Sequence, residues 1–194
     1  MPAITRDSLL TLEAYAKERA SFRARVLAHK RDRTVHLGDH VTLLFEDELT
    51  IRYQIQEMLR IEKMFEEAGI RQELEAYNPL VPDGNNLKAT MLIEYEDAEA
   101  RRDALAALRG IEDALWMRVD GFPAVRAIAD EDLERENATK TSAVHFVRFE
   151  FTPAMVSAFK AGGDVSMGVD HPNYHAEIAA LPGAVRASLQ ADFG

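Results

Sequence analysis

The first residues that could do chemistry lie on a predicted helix with an acid on its apolar side. In the stretch TIRYQIQEMLRIEKMF, residues 50–65, apolar side chains recur at the spacing of one helix face. Glu62 falls at the centre of that face. A bare carboxylate is costly in an apolar setting, so it must form an ion pair, accept hydrogen bonds, bind a metal or take up a proton.

Two interpretations of this helix are open. In the first, Gln54 and Glu57 line one edge of the helix and form a polar pocket. Glu62 and Arg60 belong to the same pocket, in which the carboxylates bind a metal or act as acid and base. In the second, Glu62 is a buried acid that pairs with an arginine of the preceding helix, such as Arg19 or Arg23, and fixes how the helix packs.

A second candidate site lies in the stretch HPNYH, residues 171–175. If the proline opens a helix, His171 and His175 lie one turn apart on one face, a spacing that suits a single metal ion. Two ligands alone fit equally well a helix start in which His171 caps and Tyr174 covers the core. The pocket interpretation expects this segment to fold back onto residues 50–62, which would add Tyr174 to the pocket.

Composition limits the classes of chemistry. The chain has 194 residues and no cysteine, so it provides no disulfide, no thiolate nucleophile and no cysteine ligand for an iron–sulfur cluster. No Glu-x-x-His pattern occurs, and a self-contained di-iron site of the helix-bundle type is therefore not expected. No cofactor is predicted beyond the single metal ion considered above.

The charge is unevenly distributed along the chain. Residues 1–40 carry 8 basic and 5 acidic side chains, and the remainder carries 15 and 28, for a net charge of −10. The basic stretch at residues 17–33 is typical of a solvated helix face. We expect this helix to pack on an acidic surface, either its own or that of a second copy in a homodimer, and we expect no nucleic-acid partner.

The order of elements predicts the fold class. Strand-like runs occur at LKATMLIEY, ALWMRV and AVHFVRFEF, with hairpin signals and helices between strands but no strict parallel rhythm. This pattern predicts an α+β fold with a mostly antiparallel sheet, helices packed on one face and a long N-terminal helix. We expect a single domain over residues 1–194, with a helical arm at 1–32 and an α+β body at 33–194.

Helix boundaries follow from capping residues. The helix of the opening stretch is expected to begin at Asp47 or Glu48 and to end at Ala68, before Gly69. The run HPNYHAEIAAL is expected to be a helix. The acidic segment DEDLERENATKTS, which has no apolar periodicity, is expected to be a surface loop.

Targeting signals are not evident in the sequence. No apolar run approaches the length of a membrane span, and the charged N-terminal stretch has no signal-peptide core. A cytoplasmic location with no membrane partner is expected.

Three stretches together carry a family resemblance: FEDELTIRYQIQEMLRIEK, ELEAYNPLVPDGNNLKATMLIEY and DHPNYHAEIAALPGAVRASLQADF. They resemble the bacterial family catalogued as domain of unknown function 3501, from about Arg6 to Phe193. Genes of that family tend to lie beside those for rubrerythrin and a heterodisulfide-reductase-like iron–sulfur protein. The resemblance implies a role in oxidative stress or electron transfer with one of those redox proteins as partner, and it transfers no catalytic residue.

Two functions compete on these grounds. The first is an accessory or scaffold module that docks the redox partner. The alternative is a small-molecule or metal-binding enzyme with a polar pocket over the Thr50–Glu62 helix. A third idea, anion binding on a charged sheet face, requires Arg118, Arg126 and Arg148 to converge.

Overall fold

The computed structural model describes residues 3–193. Its helices are α1 (Leu12–Arg31), α2 (Glu48–Ile61), α3 (Glu67–Tyr77), α4 (Ala98–Ala107), α5 (Pro153–Lys160) and α6 (Gly183–Gln190). Its strands are β1 (Thr34–Leu37), β2 (Val41–Phe45), β3 (Asn86–Ile93), β4 (Leu115–Val119), β5 (Val125–Arg126), β6 (Ile128–Ala129), β7 (Val144–Glu150), β8 (Val165–His171) and β9 (Tyr174–Ile178). None of the helices in this range is both long and apolar enough to span a bilayer.

The strands of the described chain pair in two antiparallel sheets. The first has the order β1-β2-β3-β7-β6 and the second the order β5-β4-β8-β9. The chain passes from one sheet to the other between β5 and β6, where the Ala127 amide donates to the Leu115 carbonyl at 3.0 Å. The predicted α+β class with antiparallel pairing is confirmed. The division of the strands into two sheets was not visible in the sequence pattern.

The main hydrophobic core lies between the inner faces of the two sheets. Leu87 and Met91 of β3 and Met117 of β4 are fully buried in it, together with residues from α4, α5 and α6. Because successive strand residues point to opposite faces, β3 places Lys88 and Thr90 on the outer face of the first sheet. The two helices α2 and α3 lie over that outer face.

A second, smaller hydrophobic cluster holds those helices in place. Its buried members are Ile4, Leu9, Ile51, Ile55, Leu59, Ile70 and Val81. They come from the N-terminal segment, from α2 and α3, and from the loop after α3. The long helix α1 adds only Tyr15 and Val26 as buried residues, so most of its surface faces solvent.

Helix α2 ends about two turns earlier than the sequence predicted, at Ile61 and not at Ala68. Its start is as expected, since the Asp47 carboxylate accepts the Thr50 amide at 2.9 Å. The helix stops at Ile61 because Lys63 adopts a left-handed backbone (φ 52°), and a separate helix, α3, then runs through Gly69. Glu62 is therefore an exposed residue at the helix end, and its predicted place in the middle of a buried face is wrong.

The predicted helix over HPNYHAEIAAL is also wrong, because this segment completes a β-hairpin. His171 pairs with Tyr174, and His175 pairs with Asp170, around a two-residue turn. Residues 174–178 alternate in exposure along the strand, a period of two that outweighs the helix-start signal of the proline.

The β8–β9 hairpin is tied to the β1–β2 turn by one hydroxyl. Tyr174 Oη donates to the Leu37 carbonyl at 2.6 Å and accepts the His40 amide at 3.0 Å. Gly38 fits beneath this hydroxyl with φ +68°, and a Cβ there would lie 2.6 Å from Tyr174 Oη. Only glycine combines that backbone with that contact.

Tyr174→Phe is expected to lower the free energy of unfolding by about 1–2 kcal/mol, because it leaves a backbone donor and acceptor without their partner. Urea denaturation measures the change. Tyr53→Phe is the matched control and should change stability by less than about 0.5 kcal/mol, since no hydrogen bond of the described chain uses its hydroxyl. Equal losses in both variants would contradict the assignment.

Candidate ligand-binding cleft

Glu57 is the functional candidate on α2 whose contacts are most extensive. Its carboxylate accepts the Tyr15 hydroxyl at 2.7 Å and is held by Arg19 through Nε at 2.7 Å and Nη2 at 2.8 Å. Arg60 adds a bond from Nη2 at 3.1 Å. The ion pair that the sequence assigned to Glu62 is thus formed by Glu57, and the basic helix α1 packs on an acid of its own chain.

This network has marked electrostatic consequences. The Arg19 guanidinium lowers the pKa of Glu57 to about 2. Burial, together with the Glu57 carboxylate that accepts its proton, raises the pKa of Tyr15. Glu57 is therefore ionised and fully engaged in joining α1 to α2. Its hydrogen bonds leave it poorly suited to proton transfer.

The other predicted pocket residues are not gathered around Glu57. Gln54 is partly exposed on α2, and Glu62 is exposed beyond the end of that helix. Tyr174 lies on β9 with its hydroxyl against the β1–β2 turn. The structure therefore brings Arg60 to Glu57 and leaves Tyr174 in a different part of the molecule.

The two histidines proposed as metal ligands point to opposite sides of the β8–β9 hairpin, since His175 is paired with Asp170 and His171 with Tyr174. His171 is engaged at both ring nitrogens: Nε2 donates to the Arg109 carbonyl at 2.9 Å, and Nδ1 accepts the Asn173 amide at 3.2 Å. His175 Nδ1 lies 3.0 Å from Asp170. The structure does not bring the two imidazoles together.

The arginines of the charged sheet faces have separate partners. Arg148 lies on the first sheet and is paired with Glu131 at 2.8 Å and Glu150 at 2.6 Å. Arg118 and Arg126 lie on the second sheet, where Arg118 packs over the Trp116 ring. The convergence that anion binding requires is therefore absent among these three.

A cleft with a volume of about 780 Å³ lies between α2–α3 and the outer face of the first sheet. Its apolar lining comes from the helical layer and from the sheet. The apolar side chains are those of Met58, Ala76, Tyr77, Pro79, Leu80 and Phe146, while Ala89 and Val147, which also line the cleft, are buried members of the main core. A volume of this size, with apolar walls and a few polar groups, is typical of a ligand-binding cleft.

The basic side chains in the cleft already have partners. Lys88 is buried, and its ammonium donates to the Pro79 carbonyl at 2.8 Å and the Val81 carbonyl at 3.0 Å. Arg148 is neutralised by Glu131 and Glu150, as described above. Among the acids, Glu46 accepts the hydroxyls of two neighbouring threonines at 2.6 Å.

The acids on the α3 side of the cleft are not neutralised in the same way. Glu73 and Glu75 line the cleft, and within residues 3–193 neither forms an ion pair. Because Lys88 and Arg148 are already bonded to groups of the same chain, the unpaired acids give the opening of the cleft a negative potential over an apolar floor. The arrangement suits an occupant with a cationic end and an apolar body.

A second, more open groove of about 900 Å³ lies near the end of β3. His40 stacks on Tyr95 there, with ring centroids 3.8 Å apart, and its Nδ1 lies 2.9 Å from the Glu94 carbonyl oxygen. These polar groups are bonded to one another and to the backbone. This groove is also lined by charges of both signs, Arg101 as well as Asp39 and Glu96, whereas the unpaired charges of the α3 cleft are acidic and lie beside an apolar floor.

A buried polar cluster was missed at the sequence level. His145 of β7 is fully buried, and it contacts Asp130 and Thr141 from the segment that was expected to be a featureless surface loop. The inward position of His145 on an alternating strand was the available signal. The two ends of the acidic segment fold inward onto this histidine, so the segment is not a surface loop along its whole length.

Comparison with known proteins places the chain in a family. The family model described as "Protein of unknown function (DUF3501)" matches residues 3–193. A crystal structure of a novel protein of unknown function from Burkholderia pseudomallei K96243 is similar, with 60% sequence identity, a TM-score of 0.95 and full coverage of both chains. No curated protein matches the sequence. The match over nearly the whole chain, with the same fold at 60% identity, means that this protein belongs to the DUF3501 family.

Proposed function

We propose that this protein is an accessory binding module that docks a redox partner through the cleft between α3 and the first sheet. The observation that carries the proposal is the combination of an apolar floor with unpaired acids at the opening. Neither feature is needed to close the core, which lies on the other side of the sheet. Apolar surface left open beside charge is typical of a recognition site.

The chemistry of the cleft points to a basic, partly apolar segment of the partner. An apolar side chain of that segment would contact Phe146 and Leu80, and a lysine or arginine beside it would approach Glu73 and Glu75. Opposite charges of this kind mainly set association rate and specificity, while the buried apolar contact provides most of the affinity.

The partner proposed is rubrerythrin or the iron–sulfur protein implied by the family resemblance. The chain has no cysteine of its own with which to hold an iron–sulfur cluster. In this role it would position or assemble a redox protein in an oxidative-stress or electron-transfer system, without itself carrying the electrons.

The test is a titration of the purified chain with each of these two proteins from the source organism. Ala76→Arg adds bulk and positive charge at an exposed cleft position, and we expect it to weaken binding at least tenfold. Ala24→Arg, an equivalent change on the exposed face of α1, is the control and should leave binding unchanged. Failure of both partners to bind at micromolar concentration, or equal binding by both variants, would contradict the proposal.

The volume of the cleft favours one second candidate, a small amphiphilic cation as ligand. Octylammonium is a suitable probe for it. A saturable rise in melting temperature that Ala76→Arg abolishes, in the absence of any protein complex, would make small-molecule binding the better description of the same site.

A further inference from the structure

The buried cluster around His145 joins three separate parts of the chain. Glu112 begins the 3-10 turn Glu112–Ala114, Asp130 follows β6, and His145 lies on β7. The side chain of His145 has no exposed surface, and those of Glu112 and Asp130 are only 9% and 10% exposed. One nitrogen and two carboxylates are thus close together in the interior, where each must have a compensating partner.

Hydrogen bonding fixes which nitrogen of His145 carries a proton. Nδ1 lies 2.6 Å from Asp130 Oδ2, and because an ionised carboxylate only accepts, Nδ1–H is the donor. The other oxygen of Asp130 accepts the Phe146 amide at 3.0 Å and Arg135 Nη1 at 3.1 Å. Asp130 is therefore firmly oriented, with an ion pair to Arg135 as well, and it holds the imidazole so that Nε2 points away from it.

The surroundings of Nε2 are rich in oxygen lone pairs. Thr141 Oγ1 and the Ser142 carbonyl oxygen each lie 3.0 Å from Nε2, and Glu112 Oε2 lies 3.9 Å from it. If Nε2 carries no proton, its lone pair faces the lone pairs of the Ser142 carbonyl and the Glu112 carboxylate. The Thr141 hydroxyl supplies only one proton to this group of atoms, so their lone pairs repel one another. A positive charge among these atoms removes that repulsion.

Four distances among these atoms are close to those within a metal coordination shell. Bonds of about 2.1 Å in a tetrahedral site put neighbouring ligand atoms roughly 3.4 Å apart. The distances from Nε2 are 3.0, 3.0 and 3.9 Å, and Thr141 Oγ1 lies 3.4 Å from Glu112 Oε2. Small rotations of the Glu112 and Thr141 side chains would bring their oxygens towards an ion bound at Nε2, beside the Ser142 carbonyl oxygen.

We propose that Glu112 and His145 bind a divalent transition-metal ion, with Thr141 Oγ1 and the Ser142 carbonyl completing its shell. Asp130 orients the imidazole through Nδ1–H, the usual role of a carboxylate behind a metal-bound histidine. A nitrogen with oxygen ligands suits zinc, manganese or iron(II). The site is distinct from His171 and His175, and it ties the segment of residues 130–142 to β7.

The test is metal content and metal-dependent stability of untagged protein purified without chelator. Inductively coupled plasma mass spectrometry should find close to one zinc, manganese or iron per chain. Removing it with a chelator should lower the melting temperature, and adding back ZnCl2 or MnCl2 should restore it. Glu112→Gln should weaken binding of the added metal at least tenfold, and Asp130→Asn should weaken it about 10- to 100-fold.

His175→Gln is the matched control, since that histidine is exposed on β9 and should leave metal binding unchanged. If the cluster variants do not fold, the chelation and add-back experiment on the unmodified chain still decides the question. Substoichiometric metal together with a melting temperature that neither chelator nor added metal changes would overturn the proposal.

Discussion

Arg33→Met is expected to cost about 3–5 kcal/mol of unfolding free energy, the range measured when one partner of a buried ion pair is removed. Arg33 is 1% exposed and is the largest fully buried side chain of the described residues. Its guanidinium forms a bidentate pair with Asp192 and donates to the Phe45 carbonyl at 2.9 Å and the Glu46 carbonyl at 3.0 Å. The variant would leave all these acceptors without their donor.

The loss should be larger at pH 8 than at pH 5. Burial outweighs the attraction of Arg33 and raises the pKa of Asp192 to about 6, so without Arg33 this carboxylate takes up a proton even more readily. At pH 5 it is then neutral in the variant, and the cost of a bare buried charge disappears. Urea denaturation at both pH values measures the difference.

The double variant Arg33→Met with Asp192→Leu provides the control for this prediction. It removes both charges, so it should recover part of the stability lost in Arg33→Met. A loss below about 1 kcal/mol for Arg33→Met would contradict the assigned role of the pair. So would a double variant that loses more unfolding free energy than the two single variants lose together.

Between about pH 5 and pH 2 the protein is expected to lose about 2–3 kcal/mol of stability through Glu57 alone. The pKa of Glu57 is lowered to about 2 in the folded chain, from an ordinary value of 4.5. The unfolded chain therefore binds the proton first as pH falls, and the stabilisation present above pH 5 is lost towards the folded-state pKa. The lower figure allows for solvent screening, since Arg19 is about a third exposed.

Glu57→Gln should flatten this part of the stability profile. The neutral amide keeps the size of the side chain but not its charge, so the variant should be less stable than the parent at pH 7 and similar to it near pH 2. Glu62→Gln is the matched control because Glu62 is exposed, and it should leave the whole profile unchanged. If Glu62→Gln flattened the profile and Glu57→Gln left it unchanged, the sequence-based assignment of the buried acid to Glu62 would be correct.

The comparison of Glu57 with Glu62 shows where sequence reasoning stops for helix α2. The apolar spacing and the Asp47 cap predicted the helix and its beginning, because both depend on local geometry. Its end depends on Lys63, a residue that carries no turn signal yet adopts a left-handed backbone. The predicted position of Glu62 assumed that the helix continued, so the early end moved that acid into solvent.

The candidate sites were harder to predict than the fold class. Alternating strands and capped helices are encoded over a few neighbouring residues, and they gave the α+β class. The cleft depends on Tyr77 and Phe146, which are far apart in sequence and meet only because α3 lies over β7. The His145 cluster likewise joins residues of three separate segments, so neither site has a contiguous motif to recognise.

Hydrogen–deuterium exchange of the chain, alone and with the redox partner proposed above, tests the central claim of a docking cleft most directly. We predict that the partner slows exchange in residues 73–80 and 146–148, which form the two sides of the cleft, and leaves α1 unchanged. Slowed exchange confined to α1, or no change anywhere at saturating partner, would contradict the claim.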